Sequence, residues 1–116
     1  MHESSDVRTI TCQELYQASL DRKIDIVDVR TAEEFVERRA VGARNVPLDV
    51  LEPHTVVRTR QSPESEPLYF ICEVGMRSEW ACRLMQAAGF ANVVNVAGGT
   101  QAWGGAGLPL EQGAGT

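Results

Sequence analysis

The chain has 116 residues, is 43% hydrophobic and 23% charged, and carries a formal net charge of −5. That length suits one domain able to bury a core without disulfides or a structural metal. The acidic balance argues against nucleic acid as a partner, and no apolar stretch is long enough to span a bilayer.

In chain order, residues 1–8 are expected to be an N-terminal extension, 9–110 the folded domain and 111–116 a flexible tail. Thr11 to Leu20 reads as a helix opened by a Thr11/Glu14 capping box, with Cys12, Leu15, Tyr16 and Ser19 on one face. The β-branched run Ile24 to Val29 reads as a strand. A second capping box, Thr31 with Glu34, opens a helix to about Arg38. Val41 to Pro47 predicts a turn and a short strand, and Leu48 to about Glu52 one or two helical turns stopped by Pro53. Arg58 to Pro67 is polar, carries two prolines and reads as a surface loop. Leu68 to Cys72 is a compact apolar run and predicts a buried strand. Arg77 to Ala88 predicts a helix with Trp80, Ala81, Leu84, Met85 and Ala88 inward, ended by Gly89. Val93 to Val96 is a further strand, and Gly98-Gly99 turns into a last short helix holding Ala102 and Trp103. Strands alternating with helices imply an α/β fold, a parallel sheet covered on both faces. Ligands in such folds bind beyond the carboxyl ends of the strands, where Cys72 stands.

The segment that carries chemistry is Cys72-Glu73-Val74-Gly75-Met76-Arg77-Ser78: a cysteine ends a strand, a glycine-containing loop follows, and a helix begins. Gly75 lets the loop curl, which turns backbone N–H groups inward as an anion-binding nest. The helix N-terminus adds positive potential, and both favour the thiolate, which is the nucleophile. Against this, a strand-end cysteine can simply pack; the offsets of Gly75, Arg77 and Ser78 favour the chemical reading. Of the other cysteines, Cys12 aligns with Leu15 and is expected in the core, and Cys82 is expected to be a bystander off the apolar stripe. An odd number of cysteines and an N-terminus without a signal pattern predict a cytoplasmic protein with no disulfide framework. With no C-x-x-C pair and His2 and His54 isolated, no metal is expected, and no cofactor.

Cys72 to Ser78 resembles the C-x-x-G-x-R-S loop of single-domain rhodanese-like proteins. Asp28 to Phe35 is similar to that family's D-V-R-x-x-x-E-F segment, Gly42 to Leu48 to its G-A-x-N-I-P-L segment, and Gly98 to Trp103 to its G-G-x-x-A-W segment, closed by Gly107-Leu108-Pro109. The resemblance covers roughly Ile10 to Leu110. It implies a three-layer fold: a five-stranded parallel sheet with helices on both faces. It also implies a sulfurtransferase. Cys72 would take a sulfane sulfur from thiosulfate, a polysulfide or a persulfide and pass it to cyanide or a thiol, with a sulfur-carrier protein as a further candidate partner. The backbone N–H groups from Glu73 to Ser78 would cradle that sulfur.

The resemblance also assigns Asp28 a structural role and Arg30 either donor binding or a surface salt bridge. Arg77 either binds an anionic donor or pairs with Glu73 or Glu79. Ser78 either donates to the sulfur or caps its helix. Gly98 and Gly99 make a tight turn near the loop, and Trp103 is core. Glu73 is the awkward member, since a carboxylate beside the nucleophile disfavours a thiolate and repels thiosulfate. The chain departs from the family at Arg38-Arg39-Ala40-Val41, where many members read Gly-His-Ile-Pro. Four residues separate Cys72 from Arg77, one fewer than in related phosphatases, which disfavours oxyanion hydrolysis. The alternatives are a rhodanese-fold binding module with little or no catalysis, and, behind it, a redox sensor or phosphatase-like enzyme.

Overall fold

The computed structural model describes residues 6–114. Of the segments expected to lack regular structure, residues 1–5 of the extension and 115–116 of the tail lie outside it. In chain order it contains β1 (Arg8–Ile10), α1 (Cys12–Asp21), β2 (Asp25–Asp28), α2 (Ala32–Glu37), β3 (Arg39–Ala40), β4 (Ala43–Asn45), a 3-10 turn (Leu48–Val50), α3 (Pro53–Arg58), β5 (Leu68–Ile71), α4 (Met76–Ala87), β6 (Val93–Val96), α5 (Gly99–Gly105) and β7 (Leu110–Glu111).

Five strands form one all-parallel sheet in the order β1-β6-β5-β2-β4. Side chains along β2, β5 and β6 alternate between two cores. Val27, Phe70 and Val93 pack beneath α3 and α4 with Val56, Ala81 and Met85. Ile26, Tyr69, Ile71 and Val94 pack beneath α1 and α5 with Leu15 and Trp103. Burial on both faces is why β2, β5 and β6 are uniformly inaccessible rather than alternating. The expected α/β fold with helices on both faces is therefore the observed one. Among the described residues no helix is long and apolar enough to cross a membrane.

The helix starts follow from local chemistry. Thr11 and Thr31 each accept from the backbone N–H three residues on, and Glu14 and Glu34 reach back to the cap N–H, so both capping boxes form. Four local expectations are corrected. Pro53 does not merely stop the preceding turn; it is the first residue of α3, where its missing N–H costs nothing, and Glu52 caps it. Arg8 to Ile10 forms an edge strand paired with Val94 to Val96, so the sheet begins inside the expected extension. Arg39 and Ala40, which lie between the helix expected to about Arg38 and the turn expected from Val41, pair antiparallel with Glu111 and Leu110, so regular structure also reaches one residue into the expected tail. On α4 the inward stripe is Ser78, Ala81, Cys82 and Met85, while Trp80 is 60% exposed.

The topology places the site. β2 continues to β4 on one side of the sheet, whereas β5 continues through α4 to β6 on the other. The crevice between the carboxyl ends of β2 and β5 is the switch point where such sheets bind ligands. Arg30 leaves one lip and Cys72 the other.

Candidate active site

Cys72 is the first residue after β5 and is 1% exposed. The three-residue loop Glu73-Val74-Gly75 connects it to α4. Gly75 sits at φ +106°, a left-handed conformation that L side chains rarely adopt, and it ends the loop as the cap of α4. That curl aims the Gly75 N–H at Cys72 Sγ, 3.0 Å away. Ser78 Oγ lies 3.2 Å from the same sulfur. Burial alone would push the Cys72 thiol up. Hydrogen bonds from the Ser78 hydroxyl and from the backbone N–H groups of Ser78, Gly75 and Val74 outweigh it, and the thiol ends below its ordinary value.

The loop is braced from behind by the Gly98-Gly99 turn. Thr100 N–H and Oγ1 donate to the Cys72 carbonyl at 2.8 and 3.1 Å, and Gln101 N–H donates to the Glu73 carbonyl at 3.0 Å. Gly99 has φ +61°, and a Cβ there would stand 2.4 Å from the Cys72 carbonyl oxygen. This close approach is why glycine is needed at that position.

Asn95 is a site residue that the sequence reading did not single out. It lies in β6, is buried, donates from Nδ2 to the Gly75 carbonyl at 3.1 Å, and accepts from the Ser78 hydroxyl at Oδ1. The Ser78 hydroxyl has one proton, which serves either Asn95 or the sulfur at a given moment. A signal was present: a carboxamide in an otherwise apolar buried strand must find partners.

The charged residues depart from expectation in informative ways. Arg30 is not on the surface: it is 2% exposed, and its guanidinium donates to both carboxylate oxygens of Asp28 and to the Arg38 carbonyl. Asp28 also accepts from the Arg30 backbone N–H, which fixes the turn after β2. Arg77 pairs with neither Glu73 nor Glu79; Glu34 holds it through two contacts of 2.8 and 3.0 Å, and Glu79 pairs with Arg83. The Arg77 guanidinium in turn holds the Glu34 carboxyl well below its usual range, at about 2. Glu73 is partly exposed, but its carboxylate turns back onto the protein. Its two oxygens meet Arg30 at 3.3 Å and Arg38 at 3.2 Å, so the carboxylate is matched by two cations. Ser78 makes no capping bond; it lies in the first turn of α4 and faces the sulfur.

Cys82 lies within the core beside Ala81 and Met85, and burial pushes its thiol up to about 12. That makes it a poor nucleophile. Cys12 is core as expected, beneath Gly99, with its thiol also raised by burial. The side chains of Val74 and Met76 are exposed around the loop, Met76 by 77%. Among the described residues no group of three or more His, Cys, Asp or Glu side chains is placed to hold a metal ion.

The rhodanese-like domain model matches residues 11–106. The chain is 36% identical over 83 residues to YrkF of Bacillus subtilis, a protein provisionally named a sulfur carrier; the match takes in 72% of this chain but 43% of that protein's length. It is 29% identical over 105 residues to a sulfurtransferase of Allochromatium vinosum, covering 90% of this chain and 94% of the relative. Among solved structures, a rhodanese-like domain protein from Staphylococcus aureus superposes with a TM-score of 0.75 at 33% identity, over 93% of this chain and all of that one.

Proposed function

The chain belongs to the rhodanese-like domain family, and from that premise we propose that it is a sulfurtransferase working through a persulfide on Cys72. The observation that carries the proposal is the thiolate nest: a strand-end sulfur, nearly inaccessible, facing N–H donors from Val74, Gly75 and Ser78 and the Ser78 hydroxyl. Such a site lowers the cost of the thiolate before attack and of the persulfide anion after it.

The two steps are ping-pong covalent catalysis. The Cys72 thiolate attacks the outer sulfur of the donor. A new S–S bond forms, the donor's own bond to that sulfur breaks, and its electron pair leaves with sulfite from thiosulfate or with a thiolate from an organic persulfide. A thiol or cyanide then attacks the terminal sulfur, and Cys72 departs as the thiolate it began as. No metal or redox cofactor is needed to balance either step. Arg77 is committed to Glu34 rather than turned into the nest, which favours sulfur transfer over a phosphatase-like reaction. The relatives named sulfurtransferase and sulfur carrier support the same class of chemistry, and a sulfur-carrier protein fits as donor or acceptor.

The test is release of thiocyanate from a sulfane donor in the presence of cyanide. Wild-type protein turns over and Cys72→Ser does not; equal rates from the two proteins would defeat the proposal.

A further inference from the structure

We propose that Glu73 sets donor selectivity: its carboxylate occupies the cationic subsite formed by Arg30 and Arg38 and so turns the protein away from oxyanion donors such as thiosulfate, toward sulfur carried on an organic thiol. The inference rests on the sulfur-transfer reading of Cys72 and concerns what reaches that residue.

Arg38 caps the C-terminal end of α2, and Glu73 directly follows Cys72. The structure brings these two side chains together, with Glu73 bridging Arg30 and Arg38 at 3.3 and 3.2 Å. Arg30 cannot turn away to meet a ligand. It is nearly inaccessible and fixed by Asp28 and by the Arg38 carbonyl. Arg77, in the first turn of α4, is held by Glu34. Arg30, Arg38 and Arg77 are thus each matched by a carboxylate of Asp28, Glu73 or Glu34.

A dianion approaching the sulfur therefore finds Arg30, Arg38 and Arg77 already paired, and it must displace Glu73 or sit beside its charge. Repulsion between like charges a few ångströms apart at a partly solvated site is large enough to change affinity severalfold. A persulfide on an uncharged organic group, such as that of 2-mercaptoethanol, brings no second anionic group. Its carrier meets the exposed side chains of Val74 and Met76 instead. Of the carboxylates, Glu73 is the displaceable one. It is on a loop and 35% exposed, whereas Asp28 is fully buried and Glu34 closes a capping box.

The test separates binding from chemistry. Calorimetry measures the Kd for thiosulfate on Cys72→Ser protein, which cannot accept the sulfur, alone and with Glu73→Gln added. Glu73→Gln keeps the side chain's shape and removes its charge, and the expected result is binding about tenfold tighter, with the gain shrinking as salt is raised. Adding Arg38→Ala to that protein is expected to remove the gain. An unchanged Kd, binding too weak to detect in both proteins, or a gain that survives Arg38→Ala overturns the inference while leaving Cys72 chemistry untouched. In wild-type Cys72 background, Glu73→Gln is expected to raise the ratio of sulfur loading from thiosulfate to loading from the persulfide of 2-mercaptoethanol by about tenfold. A ratio that does not move contradicts the assignment. Loss of all Cys72-dependent loading would instead count against the reaction itself.

Discussion

Replacing Ser78 with Ala removes the one side-chain donor in contact with Cys72 Sγ, at 3.2 Å, and leaves the backbone donors in place. A hydrogen bond to a charged group contributes roughly 1.5–3 kcal/mol, and 1.36 kcal/mol corresponds to one pKa unit, so full loss would raise the thiol by about one to two units. The Ser78 proton is shared with Asn95 Oδ1, which places the expected rise at the lower end, about one unit. The thiolate fraction near neutral pH then falls about tenfold. Alkylation by iodoacetamide slows less, about threefold, because a more basic thiolate is also more nucleophilic, with a Brønsted slope of about 0.4–0.5. The midpoint of the pH–rate profile is therefore the quantity to read, with intact mass reporting single alkylation; Cys12 and Cys82 are buried and their thiols are raised, so they do not compete. Ser78→Ala also leaves the buried Asn95 Oδ1 without its donor, at a stability cost of roughly 1–3 kcal/mol, so thermal unfolding of the variant accompanies the assay. A midpoint that stays put or moves down in a folded variant would mean that the hydroxyl does not support the thiolate.

Gly99→Ala places a Cβ 2.4 Å from the Cys72 carbonyl oxygen at a left-handed φ, and is expected to cost at least about 2 kcal/mol and to slow sulfur transfer; a urea midpoint near wild type would contradict the tight brace. The Glu34 carboxyl is depressed to about 2 in the folded state, so the stability it contributes is present above its unfolded value near 4.5 and is lost as pH falls through the folded one. Glu34→Gln should therefore unfold with a shallower acid dependence across that window, and identical slopes would argue against the Arg77 pair. Cys82 has the opposite sense: above pH 9.0 the unfolded chain ionises a thiol that the folded core keeps protonated up to about 12. Stability should fall by up to about 1.4 kcal/mol per pH unit from this residue, and Cys82→Ala should lose that part of the slope in alkaline urea titrations.

The features legible in the sequence were those set by neighbours along the chain. The Thr11/Glu14 and Thr31/Glu34 capping boxes, the apolar run into Cys72 and the glycine three residues later are all local, and all appear in the structure. What escaped depends on partners distant in sequence. β1 is a three-residue strand with one apolar side chain, recognisable only once β6 offers it an edge. Arg77 and Glu34 are 43 positions apart, so nothing local chose Glu34 over Glu73 or Glu79. On α4 the bulk of Trp80 drew the apolar stripe toward the wrong face. The true stripe includes Ser78, a polar residue whose hydroxyl turns inward to Cys72 Sγ and Asn95 Oδ1. Pro53 illustrates a residue with two local readings, helix stop or helix start, between which the Glu52 carboxylate decides.

Whether Cys72 carries the sulfur is read by intact-mass spectrometry after exposure to a sulfane donor. Wild-type protein is expected to gain one sulfur atom, about 32 Da, reversed by cyanide and absent from Cys72→Ser. The same adduct on Cys72→Ser, or none on wild-type protein with either thiosulfate or an organic persulfide, would contradict that expectation.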